Sequence, residues 1–149
     1  MRLQDRELER LSMLERLKKM EIESLILKIL PKRKELLKVT KQLADLEREL
    51  KGCYGLLNSN CSGDIDVSRL SQIQEYISNI KERIECFAEL EVKLTREIKS
   101  LKRTKNHGQL TVRGLGKIKE RVCTQLTIRK ETVLNQELLE NNAGRRKLL

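Results

Sequence analysis

A chain of 149 residues is long enough for one domain, yet it contains no Trp, one Phe and two Tyr, while 36% of its residues are charged. That balance excludes a compact globule with a broad core and fits helices that each bury one narrow apolar stripe. The formal charge of +10 is uneven, at +4 for residues 1–60, +1 for 61–105 and +5 for 106–149, so the chain ends should attract an acidic partner or surface.

The first predicted element is a long helix from about Leu3 to Leu57. It carries a seam of Ile22, Leu25, Ile29, Lys32, Leu36, Val39, Leu43, Leu46, Leu50 and Cys53. The steps alternate between three and four residues, the heptad spacing of coiled coils. Leu11, Leu14, Leu17 and Met20 extend an apolar stripe towards the N-terminus. Pro31 interrupts the helix, and because proline removes one backbone hydrogen bond and crowds the preceding turn, a kink is expected there.

A turn is predicted over 58–65, where Asn58, Ser59, Asn60, Ser62, Gly63 and Asp64 crowd together. The spacing resembles the start of a calcium loop, but Arg69 occupies the twelfth position, where a bidentate Glu is needed, so calcium binding is rejected. Asp66 or Ser68 is expected to cap the following helix.

The second helix, about 66–105, carries Leu70, Ile73, Ile77, Ile80, Ile84, Phe87, Glu91, Leu94, Ile98 and Leu101 in the same rhythm. Folding the chain back at the turn pairs Cys53 with Leu70, Leu46 with Ile77, Leu36 with Phe87 and Ile22 with Leu101. The one charged residue of each seam, Lys32 and Glu91, then shares a layer that would set the register. The expected fold is all-α, a long antiparallel two-helix coiled-coil hairpin. Asn106, His107, Gly108, Gly114 and Gly116 predict a hinge over 106–116 that breaks the second helix. A terminal helix over about 117–142, with Ile118, Val122, Leu126 and Val133, and a basic tail over 143–149 complete the expectation.

Such a hairpin has no concave interior for a substrate, and no phosphate loop or nucleophile–base pair is visible, so a non-enzymatic role without cofactor or metal is expected. Cys53, Cys61, Cys86 and Cys123 lack C-x-x-C spacing, and His107 has no ligand partner nearby, which reads as reduced thiols in a cytoplasmic protein. No apolar run exceeds three residues, as at Leu25, Ile26 and Leu27, so neither a secretory signal nor a membrane span is expected. The few aromatics argue against nucleic acid as a partner despite the basic balance.

Around the turn, Gln42-Leu43, Leu57-Asn58-Ser59, Ser62, Ile65, Arg69, Gln74 and Ile77 resemble the hairpin region of the flagellar export protein family FliJ and its injectisome relatives of the YscO type. The likeness covers residues 40 to 85. It implies a non-catalytic central stalk of a type III secretion ATPase, cytoplasmic and peripheral to the inner membrane at the secretion apparatus. The implied partners are the hexameric ATPase, the cytoplasmic domain of the export gate and export chaperones. The hairpin itself, whose seam is satisfied within one chain, predicts a monomer when free. Carried over by position, the gate contacts are Gln42, Leu46, Glu49, Cys53, Tyr76 and Ile80. Glu49 and Cys53 stand where the flagellar family has aromatics, which tilts the resemblance towards an injectisome relative. The expected contacts to the ATPase ring are the basic residues Arg2, Arg6, Arg10, Lys117, Lys119 and Arg121. The alternatives are a generic coiled-coil scaffold or adaptor and a basic nucleic-acid-binding coiled coil.

Overall fold

In the computed structural model, which describes residues 3–60 and 66–148, two helices form and no strand is present among the described residues. Helix α1 spans Leu3–Asn60 and helix α2 spans Val67–Leu148. They pack against each other as an all-α helical hairpin. Two compact units are distinguishable, one of residues 1–24 with 105–149 and one of residues 25–104.

Asn58, Ser59 and Asn60, expected in the turn, belong to α1, and Ser59 Oγ donates to the Leu56 carbonyl at 3.0 Å. The remaining turn residues, 61–65, lie outside the described residues. Asp66 caps α2: its Oδ1 accepts the Ser68 amide at 3.1 Å and its carbonyl accepts the Leu70 amide at 3.0 Å. The first bond satisfies an amide that has no partner inside the first helical turn, and the second is the first backbone bond of the helix itself.

In the unit of residues 25–104, the expected seam faces inward. Ile29, Val39, Leu46, Cys53, Ile77, Ile80, Leu94 and Ile98 are buried, and every other seam residue from Leu25 to Leu101 is half-buried. Leu46 and Ile77, expected to meet, share a core with Cys53 and Ile80, against which Leu50, Leu57, Ile73, Ile84 and Phe87 pack. Each fully buried Leu or Ile there contributes about 1.5–3 kcal/mol before ordering entropy is subtracted. Pro31 lies exposed within α1, and the helix runs through it without a break.

The charged layer differs from expectation. Lys32 pairs with Glu97, not with Glu91, and the half-buried Glu91 makes no ion pair among the described residues. Helical side chains slant towards their own N-terminus, so in an antiparallel pair a long α1 side chain reaches α2 residues of higher number than those level with its Cα. The flexible Lys32 stem slants one way and Glu97 slants back to meet it.

In the unit of residues 1–24 and 105–149, the expected hinge at 106–116 is absent and α2 is continuous through it. The inward face there is Lys105, Gly108, Val112, Leu115, Lys119, Val122 and Leu126, an unbroken alternation of fours and threes. Opposite it, α1 turns in Gln4, Leu8, Leu11, Glu15, Lys18 and Ile22, all half-buried. Leu14, Leu17 and Met20, expected to extend the stripe, are exposed. Ile22 lies against Gly108, one heptad beyond its expected partner Leu101. Packing thus overrides the roughly 1 kcal/mol per residue that glycine costs a helix. No glycine among the described residues has a positive φ, and Thr111 Oγ1 donates back to the His107 carbonyl at 3.1 Å within the same stretch. Ile118 and Val133, expected in the stripe, are exposed, whereas Val122 and Leu126 are buried as expected. The predicted tail is helical as far as Leu148.

Candidate interaction surfaces

The six residues carried over as gate contacts divide cleanly. Leu46, Cys53 and Ile80 are core residues, the last only 2% exposed, so they cannot reach a partner without opening the seam. Their role is corrected to packing, which their heptad positions already implied. Gln42, Glu49 and Tyr76 are exposed. The Tyr76 hydroxyl donates to Glu49 Oε1 across the two helices. That hydrogen bond, reinforced by the Glu49 charge, pushes the Tyr76 phenol up from its ordinary range because ionisation would face a carboxylate. Nearby, the Lys81 ammonium stands 5.7 Å from the centre of the Tyr54 ring, within range of a cation–π contact. The exposed members of the carried-over set are therefore polar and aromatic.

Of the basic residues expected to meet an ATPase ring, Arg2 lies outside the described residues. Arg6, Arg10, Lys117 and Arg121 are exposed, and all four belong to the unit of residues 1–24 and 105–149. Lys117 and Arg121 line a shallow hollow of about 400 Å³ together with Glu120, Thr124 and Gln125. Lys119 is different. It occupies the inward frame of α2, and its ammonium lies 3.7 Å from Glu15, so it is a half-buried pairing residue rather than a free contact.

Glu15 also accepts Lys19 at 3.0 Å. The Lys19 hydrogen bond, then its charge, and then Lys119 hold the Glu15 carboxyl below its ordinary range. Glu97 is lowered likewise, first by the hydrogen bond from Lys32. Sequence reasoning missed Glu15 and Glu97 as pairing residues. Glu15 could have been found by running the three-and-four alternation back from Ile22; Glu97 could not, because it stands beside the seam and reaches its partner only through side-chain slant.

Cys53, Cys86 and Cys123 are free thiols, the first buried and the other two exposed; Cys61 lies outside the described residues. No cluster of three or more metal-ligating side chains occurs among the described residues, and no described helix is long and apolar enough to cross a membrane. Neither a known protein family, nor a curated protein, nor a solved structure matches the chain.

Proposed function

We propose that this chain is a non-catalytic stalk protein of a type III secretion export ATPase, coupling the ATPase hexamer to the cytoplasmic part of the export gate at the inner membrane. The observation that carries the reading is the unit joining residues 1–24 to residues 105–149: there the N-terminal part of α1 faces α2 as far as Leu126, and Arg6, Arg10, Lys117 and Arg121 are exposed. Paired helices with exposed cations suit an acidic collar of a ring protein, where charge complementarity speeds docking and fixes orientation. The resemblance around the turn supports the same reading, with Gln42, Glu49 and Tyr76 as the exposed candidates for the gate.

The test is copurification at low salt with the hexameric export ATPase of the same organism, followed by ATPase measurements with the stalk added. Binding and a rise in turnover are expected, both lost when Arg6, Arg10, Lys117 and Arg121 are changed together to Glu. Absence of binding by the unaltered protein would overturn the proposal.

A second reading, a coiled-coil scaffold that self-associates, draws on one feature. Residues 127–144 of α2 are all exposed, including Ile128, Leu134, Leu138 and Leu139. Sedimentation separates the two, since the stalk reading expects a monomer when free and the scaffold reading a concentration-dependent oligomer.

A further inference from the structure

Within the unit of residues 25–104, α1 is apolar on two sides. Ile29, Leu36 and Val39 face the seam, yet Leu27 is 69% exposed, Leu30 48% and Leu37 72%, with Ile26 at 39%. At about 100° per residue these four side chains fall within one arc of roughly 100°. Arg33, Lys34 and Lys38 stand exposed in or beside the same arc. None of the three is in an ion pair among the described residues, and Glu35 is the one acid between Glu23 and Asp45. On α2 in the same unit, Arg96, Lys99 and Arg103 line a hollow of about 310 Å³ with Ser100 and Thr104. Glu97, the one acid among these α2 residues, is engaged by Lys32.

We infer that this outer face of α1 is a docking surface for an anionic lipid bilayer. Four aliphatic side chains in a bed of unpaired cations match the two layers of such a surface: the aliphatic groups enter the acyl boundary while lysine and arginine stems carry their charges up to the headgroups. A second copy of the chain fits badly, because the face laid on itself would set Arg33, Lys34 and Lys38 against their own counterparts. A nucleic acid would satisfy the cations through its phosphates, but it would leave four aliphatics unused, and this face offers no aromatic ring for stacking. The surface is convex and needs no complementary pocket on the partner, as a bilayer requires.

Flotation of the full chain with vesicles tests this, comparing neutral phosphatidylcholine with phosphatidylcholine containing about 30 mol % phosphatidylglycerol. The protein should float with the anionic vesicles and stay behind with the neutral ones. The triple change Leu27→Ser, Leu30→Ser and Leu37→Ser, with helicity checked by circular dichroism, should cut the floated fraction at least about tenfold. Leu138→Ser with Leu139→Ser, exposed leucines of the other unit, should leave it unchanged. Lys34→Gln with Lys38→Gln should weaken binding and flatten its salt dependence. The inference is overturned if the protein ignores anionic vesicles, if the triple serine variant floats as well as the unaltered chain, or if duplex DNA binds both proteins alike while vesicles bind neither. The export-ATPase assay above has a separate readout, so this result and that one stand or fall independently.

Discussion

Ile22 lies across Gly108 so closely that a methyl group on the glycine would sit 3.1 Å from Ile22 Cγ1. Gly108 is buried where the two helices of this unit meet, and the missing side chain is what lets the α1 isoleucine fit. Gly114, by contrast, is exposed and has nothing within 4 Å of an added Cβ.

That contrast predicts a difference between two identical substitutions. Gly114→Ala should stabilise the protein by about 0.5–1 kcal/mol, the ordinary helix-propensity gain. Gly108→Ala should return clearly less, because Ile22 must shift by a few tenths of an ångström, and Gly108→Leu should destabilise. Urea titrations followed by circular dichroism at 222 nm measure all three. Equal gains at the two positions would show that Ile22 does not press on Gly108.

The same stretch shows what was legible beforehand and what was not. The seams from Leu25 to Leu101 could be read because apolar residues mark nearly every position, and a three-and-four step in Leu, Ile and Val has one physical meaning. Beyond Leu101 the frame continues without a fault, but its positions are Lys105, Gly108, Val112, Leu115 and Lys119. Propensity said hinge, and the periodicity beneath it said helix. The periodicity won because the frame is covered by a facing helix. The Lys32 partner was missed for a different reason: a register drawn through Cα positions ignores the N-terminal slant of side chains, and that slant is largest for the long polar residues that form cross-helix ion pairs. The gate set was carried by position alone, so it mixed buried Leu46, Cys53 and Ile80 with exposed Gln42, Glu49 and Tyr76.

The Lys32–Glu97 pair should reveal itself in acid. Lys32 lowers the Glu97 pKa in the folded chain relative to its ordinary value of 4.5. A carboxyl with a depressed folded pKa contributes stability that is present above its unfolded pKa and lost as pH falls through the folded one. Glu97→Gln should therefore lower the melting temperature at neutral pH, and the gap from the unaltered protein should close as pH falls below about 4. A double-mutant cycle should couple Lys32 to Glu97 and leave Lys32 uncoupled from Glu91. Changing Lys32 and Glu97 together to Leu should restore part or all of the stability lost in either single change, since a half-exposed ion pair is readily replaced by apolar contact. Coupling to Glu91 instead would show that Lys32 pairs at its own Cα level and that the slant does not choose its partner.

Cys53 offers a direct probe of whether the seam opens when the protein is free. It is 6% exposed and packs with Leu46, Ile77 and Ile80, whereas Cys86 and Cys123 are exposed. Thiol labelling requires the sulfur to meet reagent as thiolate, so a buried thiol reacts only as often as its surroundings open. With a maleimide at neutral pH and peptide mapping by mass spectrometry, Cys86 and Cys123 should label within minutes. Cys53 should lag by at least about a hundredfold until urea is added. Labelling of Cys53 at the rate of Cys86 in native buffer would mean that the seam around Leu46 and Ile80 opens readily. In that case the buried half of the gate set would again be available to a partner.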